Sequence, residues 1–323
     1  MTSLPITEEQ VATKPEEEAA PATTRKRRTA EPQERGIISH ADRRRPLIQY
    51  GLPVIQVLLF IGVVVAGVGP LLWLLKSGLS TSQDIVRGPM QLWPSGIQWQ
   101  NIPNAWNQVQ IGSYLGNTAI IAIGSLISTL FVCTTGAFVL SVLRPRWGPV
   151  ITGAVLATLF LPGVISLVPL YLTILKMPVL GVNLQNTFWA VWLPQAAGAF
   201  NILVMKRYFD AIPRELIEAA RIDGASNLRL FTALILPMSK PIIGVVALLT
   251  VIGSWKDYLW PLLVLPDPKL QPISVALPRV AQTTEISLQM SALFLAVLIP
   301  VVLFLVFQKQ FLRGVGMSGG IKE

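Results

Sequence analysis

The chain has 323 residues, of which 52% are hydrophobic and 13% charged, with a formal net charge of +9 and a mean hydropathy of +0.57. A soluble domain carries roughly 25% charged residues, so this composition excludes an ordinary soluble globular protein and points to a membrane protein. A single cysteine, Cys133, and a single histidine, His40, exclude an intrachain disulfide and a His/Cys metal centre.

Residues 1–46 mix Glu-rich, Pro/Thr/Ala-rich and Arg-rich patches with almost no apolar periodicity, which predicts a disordered tail. Arg43-Arg44-Arg45 then abuts an apolar segment from Leu47 to Leu75. That segment is too long for a signal-peptide core and no small-residue cleavage site follows it, so it reads as a retained first transmembrane helix. A spanning helix needs about 20 mostly apolar residues. The stretches 52–75, 113–142, 150–174, 187–206, 240–264 and 289–309 qualify, and they predict six spans.

Between the first two spans, Trp93, Trp99 and Trp106 alternate with Pro94 and Pro103. Trp favours the membrane–water boundary, so this loop reads as an aromatic belt, with a short surface helix over Asn101–Val109. Cys133, inside the second run, reads as a small buried apolar residue. Pro162-Gly163, Pro169, Pro194 and Pro261 interrupt later runs. Spanning helices tolerate such residues where neighbours re-satisfy the backbone. Each break reads either as a packing kink or as a bend around a pore.

The basic residues orient the chain. Nine Lys/Arg precede residue 47, two lie in 143–149, six in 206–240 and three at the C-terminus, against Lys76, Arg87, Lys176, Lys269 and Arg279 in the alternate loops. The side richer in Lys and Arg is cytoplasmic. Both termini and the 206–240 loop are thereby expected in the cytoplasm, and the positive charge is an orientation signal rather than a nucleic-acid footprint.

The 206–240 loop is a charged island in an apolar chain. Asp210 can cap a helix and Pro213 suits its first turn. Glu215 complements the dipole of the early turns, and Gly224 suits a left-handed stop. A second short helix is expected from about Ser226 to Leu234 before Leu236-Pro237 returns the chain to the membrane. The product is a helix–Gly–helix knob with small residues, Ala219 and Ala220, at its tip.

The run Glu215-Leu-Ile-Glu218-Ala219-Ala220-Arg-Ile-Asp223-Gly224-Ala225-Ser-Asn-Leu-Arg-Leu-Phe231, closed by Leu236-Pro237, resembles the EAA loop of permease subunits in ATP-binding-cassette importers. The match is one of joint spacing and predicted context rather than of one short pattern. The resemblance extends over residues 50–323. Tyr114-Leu115-Gly116-Asn117-Thr118, Leu161-Pro162, Val168-Pro169-Leu170-Tyr171 and Asn186-Thr187 resemble patterns of the second, third and fourth spans. Ser254-Trp255-Lys256-Asp257-Tyr258-Leu259-Trp260-Pro261-Leu262 resembles the fifth-span signature of carbohydrate permeases of the maltose and multiple-sugar type. Gln308-Lys309-Gln310-Phe311, Arg313-Gly314 and Gly319-Gly320-Ile321-Lys322 resemble their C-terminal tail.

The resemblance implies an all-α polytopic membrane protein with six transmembrane helices and a cytoplasmic EAA coupling loop. It implies a tail over 1–46 and an importer transmembrane domain over 47–323, with the coupling loop at about 207–239. Glu218, Ala219, Ala220, Asp223, Gly224, Phe231 and Pro237 would couple to an ATPase, Glu218 by pairing with a basic group there. Trp255, Lys256, Asp257 and Tyr258 would line the substrate path. The implied partners are a second homologous permease, two ATPase subunits carrying ATP and Mg, an extracytoplasmic solute-binding protein and the lipid bilayer. No nucleic acid and no cofactor on this chain are implied. The implied place is a bacterial or archaeal plasma membrane, and the implied substrate a di- or oligosaccharide, with a glycerol-phosphate-like polyol phosphate as runner-up.

Lys256 departs from the family, which usually has Asn there. From Lys240, sixteen residues at about 1.5 Å each carry it some 24 Å along a helix. A charge inside a span is costly and marks function by default. The alternatives are a snorkelling lysine, or one paired with Asp257 or another subunit. No Gly-x-x-x-x-Gly-Lys-Ser/Thr phosphate loop and no nucleophile–base pair occur, so the chain is not an enzyme by its own residues. A secondary transporter would instead show membrane-embedded acids and internal repeats, and a scaffold that keeps this fold without transporting is a third reading.

Overall fold

The computed structural model describes residues 46–178 and 180–316. The predicted N-terminal tail with His40 and Arg43–Arg45, and the C-terminal Gly319–Lys322, lie outside the described residues. The chain divides into two units between Gly62 and Val63. In the first, the described residues form one helix, the opening of α1 (Pro46–Gly78), and its side chains from Leu58 to Ile61 are exposed.

The second unit is helical, with no strand among the described residues. After α1 come α2 (Ser82–Arg87), α3 (Asn101–Gln108) and α4 (Ile111–Phe138), which runs on into a π-helical turn, Val139–Leu143. Beyond it lie α5 (Gly148–Thr158), α6 (Gly163–Leu175), α7 (Trp189–Ala196) and α8 (Ala199–Asp210). Next are α9 (Arg214–Ile222), α10 (Asn227–Arg229), a second π-helical turn (Leu230–Ile235) and α11 (Leu236–Met238). The described residues end with α12 (Lys240–Lys256), α13 (Leu259–Val264), a 3-10 turn (Pro268–Leu270), α14 (Ile273–Val280) and α15 (Ile286–Gly316).

α4 shows why this unit belongs in lipid. Its buried face carries small and polar side chains, Thr118, Ser125, Thr129, Cys133 and Thr134, among apolar ones such as Leu115 and Ile121, whereas Ile120, Ile123, Ile127 and Phe131 are exposed. Lipid is as apolar as leucine, so helices in it associate through small residues and polar groups rather than through large apolar ones. Of the buried hydroxyls, Thr118 and Thr134 donate locally, to the carbonyls of Tyr114 and Leu130 at 2.8 and 2.6 Å, Thr129 donates to the carbonyl of Gln195 at 3.2 Å, and Ser125 Oγ has no partner among the described residues. Cys133 is buried and free, as its place in the sequence predicts.

Among the described residues, two helices, Tyr50–Gly78 and Ile111–Leu143, are long and apolar enough to cross a membrane, and two bent pairs bring the number to four if each counts as one span. α5 and α6 turn by 111° across Leu159–Pro162, and the α10–α11 segment meets α12 at 78°. The stretch 187–206 is split at Ala197-Gly198, and the apolar run in α15 is the shorter Ile286–Val302. Pro162 and Gly198 stand at two of these breaks, each immediately before a new helix, and Ser239 stands at the break before α12.

The motifs Asn117-Thr118 and Asn186-Thr187 catch the chain after α13. Asn117 Nδ2 donates to the carbonyls of Lys269 and Gln271 at 2.7 and 3.0 Å, and Thr118 Oγ1 accepts the Ile273 N–H at 2.9 Å. Asn186, in a left-handed conformation with φ 62°, accepts the Asp267 N–H at 3.0 Å. They hold α14 against α4, where Tyr114, Leu115, Ile273, Ala276, Ala292 and Ala296 form one buried cluster.

Candidate functional site

The segment 207–239 folds as a knob. No residue of α9 is buried, and Glu215 lies in its first turn, where a carboxylate favours the helix dipole. Glu218, Ala219 and Asp223 are exposed. The other side of the knob, Ile217, Ala220 and Phe231, packs on a buried cluster that includes Ala137, Phe138, Val142, Met205, Phe209 and Leu230. Gly224 has φ +78°, and a Cβ there would meet nothing within 4 Å, so conformation rather than space requires the glycine. Ser226 caps α10 by accepting the Arg229 N–H at 3.3 Å. Pro237 is exposed in the short turn before α12.

The expected Asp210 cap is not formed: Pro213 occupies the N-cap position of α9, with no side-chain bond. Asp210 is engaged elsewhere. Its carboxylate accepts from Ser141 Oγ and from Lys206 Nζ, each at 2.7 Å, and Arg144 Nη2 lies 3.6 Å from it. Partial burial works to raise the Asp210 carboxyl. The hydrogen bonds from Lys206 and Ser141, with the charges of Lys206 and Arg144, outweigh that and hold it below the usual carboxylate value. A cleft of about 60 Å³ beside this group is lined by Ser141, Arg144, Asp210, Arg214, Glu218 and Arg221, among others. The i, i+4 spacing of Lys206 and Asp210 was the available sequence signal. The Ser141 and Arg144 contacts had none.

The structure divides the second set of predicted residues. Helix α12 runs unbroken from Lys240 to Lys256, and the chain breaks at Asp257, which takes extended backbone at φ −68°, ψ 119°. Trp255 packs against the buried cluster of α4, α14 and α15. Lys256 and Tyr258 are exposed. Although the backbone is irregular here, Asp257 does not pair with Lys256: among the described residues the ion pairs are those of Asp210. The Asp257 carboxylate instead accepts from Gln195 Nε2 at 3.1 Å, and its carbonyl accepts from Ser274 Oγ at 2.7 Å.

Gln195 is the residue that sequence reasoning missed. Its Oε1 accepts from Ser254 Oγ at 3.1 Å, and its backbone carbonyl accepts from Thr129 Oγ1 at 3.2 Å. One polar chain thus joins α4, α7, α12 and α14. A lone amide in an apolar run, directly after Pro194, was the signal that could have found it. Ser274 also faces a cavity of about 390 Å³ whose walls include Val109, Leu277, Gln289 and Leu293.

Comparison with known proteins places this geometry. Residues 134–316, which include the whole knob and the break at Asp257, match the family described as binding-protein-dependent transport system inner membrane component. The chain is 34% identical over 257 residues to "Probable ABC transporter permease protein YurM" of Bacillus subtilis (strain 168), covering 78% of this chain and 83% of that protein. It is 28% identical over 269 residues to the sn-glycerol-3-phosphate transport system permease protein UgpE of Yersinia pestis, covering 80% and 94%. It is 28% identical over 284 residues to the diacetylchitobiose uptake system permease protein NgcG of Streptomyces coelicolor, covering 86% and 90%. The fold is similar to a chain in a crystal structure of a bacterial ABC transporter involved in the import of the acidic polysaccharide alginate, with a TM-score of 0.72 at 20% identity, covering 85% of this chain and 99% of that one. The chain belongs to the family of binding-protein-dependent transport system inner membrane components, and it is a membrane transport subunit rather than an enzyme.

Proposed function

We propose that the chain forms half of the transmembrane path of an ATP-driven importer for a carbohydrate, a di- or oligosaccharide, delivered by an extracytoplasmic solute-binding protein. The observation that carries the reading is the exposed α9–Gly224–α10 knob, which offers Glu218, Ala219 and Asp223 to a partner within the region matched to the family. In this reading 207–239 is a cytoplasmic coupling loop. Two ATPase subunits bind ATP and Mg, and a second homologous permease completes the path. Six spans over 47–323 place both termini in the cytoplasm, with 1–46 as a tail, in a bacterial or archaeal plasma membrane. Closure of the ATPase pair displaces α9 and turns the path from inward- to outward-facing. For that to work, the contacts of α9 must differ in free energy between the two states.

The carbohydrate reading draws support from the diacetylchitobiose relative. A polyol phosphate is the second reading, favoured by the glycerol-phosphate relative and by Lys256, which ends α12 exposed and has no ion-pair partner among the described residues. The test is to reconstitute the complete complex in liposomes with its solute-binding protein. Uptake and ATP hydrolysis are then measured against mono-, di- and oligosaccharides and sugar phosphates. ATP-dependent uptake of a neutral oligosaccharide is the expected result. Preference for a phosphorylated polyol would select the second reading, and uptake without ATP would reject both.

A further inference from the structure

Both ends of the α9–α10 knob are fastened to the same turn of α4. After the knob, Phe231 packs against Phe138 with tilted ring planes, the centroids 5.0 Å apart. Before it, Asp210 is gripped by Ser141, which belongs to the π-helical turn that ends α4. That turn is unusual in a second way. Arg144, which closes it, is a non-glycine residue in the left-handed region, with φ 48° and ψ 60°. Its Nε donates to the Ser141 carbonyl at 2.7 Å, while its Nη2 lies 3.6 Å from the Asp210 carboxylate. Single π-helical turns and left-handed non-glycine residues cost free energy and gather where a structure must move or bind.

The polar joint sits at the rim of the apolar cluster that includes Val142, Phe209, Ile212 and Leu230, and the exposed knob hangs below it. Only Ala211, Ile212 and Pro213 separate Asp210 from the start of α9, and Pro213 fixes one backbone angle of that link. On the far side of the joint, α4 carries Thr129, which bonds the carbonyl of Gln195, and Gln195 holds Asp257 at the break between α12 and α13. Helix α4 therefore links the bonds at the root of α9 to those at the break at Asp257.

We infer that Asp210 is a positioning residue of the transport cycle: it ties the root of α9 to the π-helical end of α4, so that displacement of α9 is carried into α4 and on to the break at Asp257. The inference rests on the proposed transport function. The Ser141 bond transmits the motion and the Lys206 bond, within α8, aims the carboxylate. Spatial continuity alone does not establish coupling, so the test must read coupling itself.

The experiment uses the complete complex in liposomes with loaded binding protein, and measures ATP hydrolysed per solute imported for Asp210→Ala, Asp210→Asn, Asp210→Glu, Ser141→Ala and the double Asp210→Ala/Ser141→Ala. Asp210→Ala and Ser141→Ala are each expected to raise the ATP used per solute roughly five- to tenfold, the lower part of the range usual for coupling between sites. The double variant should be no worse than the worse single one, because both remove the same bond. Asp210→Glu should recover part of the loss. Asp210→Asn keeps an acceptor for Ser141 and the side-chain size, so it serves where the alanine variant assembles poorly, and a two- to threefold rise is expected of it. A merely structural role would lower the yield of complex and leave ATP per solute at the wild-type value in what assembles, and that result overturns the inference. Failure of the transport reading is separate: it would show as wild-type complex that imports nothing with ATP.

Discussion

Phe138, the last residue of α4, and Phe231, in the π-helical turn after α10, lie with ring planes tilted 56° and centroids 5.0 Å apart. The pair joins the exposed knob to a helix that packs through the middle of the unit. Aromatic pairs in this arrangement contribute about 0.5–1.5 kcal/mol beyond area burial. Phe231→Ala should therefore lower the melting temperature of the purified complex and reduce uptake, whereas Phe231→Leu, which keeps most of the apolar volume, should retain more of both. A double-mutant cycle with Phe138→Ala should return a coupling of roughly 1 kcal/mol. Additive losses would show that the rings do not act together.

Gly124 lets α7 approach α4. A Cβ there would lie 2.0 Å from Cε2 of Trp192, and that indole is also packed on Phe188 and Trp189. Gly124→Ala should cost about 1–3 kcal/mol, the usual range for overpacking, read as a fall in melting temperature in detergent. Shrinking the obstacle with Trp192→Leu in the same chain should restore part of it. An unchanged melting temperature for Gly124→Ala would mean that α7 has room to shift.

Glu218 is exposed on the free face of α9, so its replacement should leave the rest of the unit intact. Glu218→Lys is expected to abolish capture of the ATPase and ATP-driven uptake, with membrane insertion unchanged, because reversal sets like charges across the docking contact. Co-purification of the ATPase at wild-type level with normal uptake would remove Glu218 from the interface.

Lys256 ends α12 in an exposed position. If it donates to solute in the path, Lys256→Met keeps the length of the stem and deletes the charge and three donors. A hydrogen bond from a charged group is worth about 1.5–3 kcal/mol, so uptake should fall about ten- to a hundredfold with assembly intact. Lys256→Asn should recover part of it. Equal uptake for Lys and Met would make Lys256 an anchor at an interface or in the headgroups.

The sequence by itself determined the features that local chemistry dictates. Apolar content placed the chain in the membrane, Gly224 marked the stop that its φ of +78° bears out, and the knob over Arg214–Ile222 came from its helix formers and charges. The family, too, was legible, because the spacing of Glu218-Ala219-Ala220, Asp223-Gly224 and Leu236-Pro237 is local information. Only the tertiary structure decided where polar side chains find partners. Asp210 left its expected cap because Ser141, far away in sequence, offers a bond at 2.7 Å. Asp257 turned from Lys256 to Gln195, which belongs to another helix. Along α4 apolarity does not mark the inside: Thr118 and Thr129 are buried beside Leu115 and Ile121, while Ile120 and Phe131 are outside. Hydrophobic periodicity, which reads inside from outside in water, loses its sign in lipid, and the packing of polar groups between helices then depends on the assembled fold.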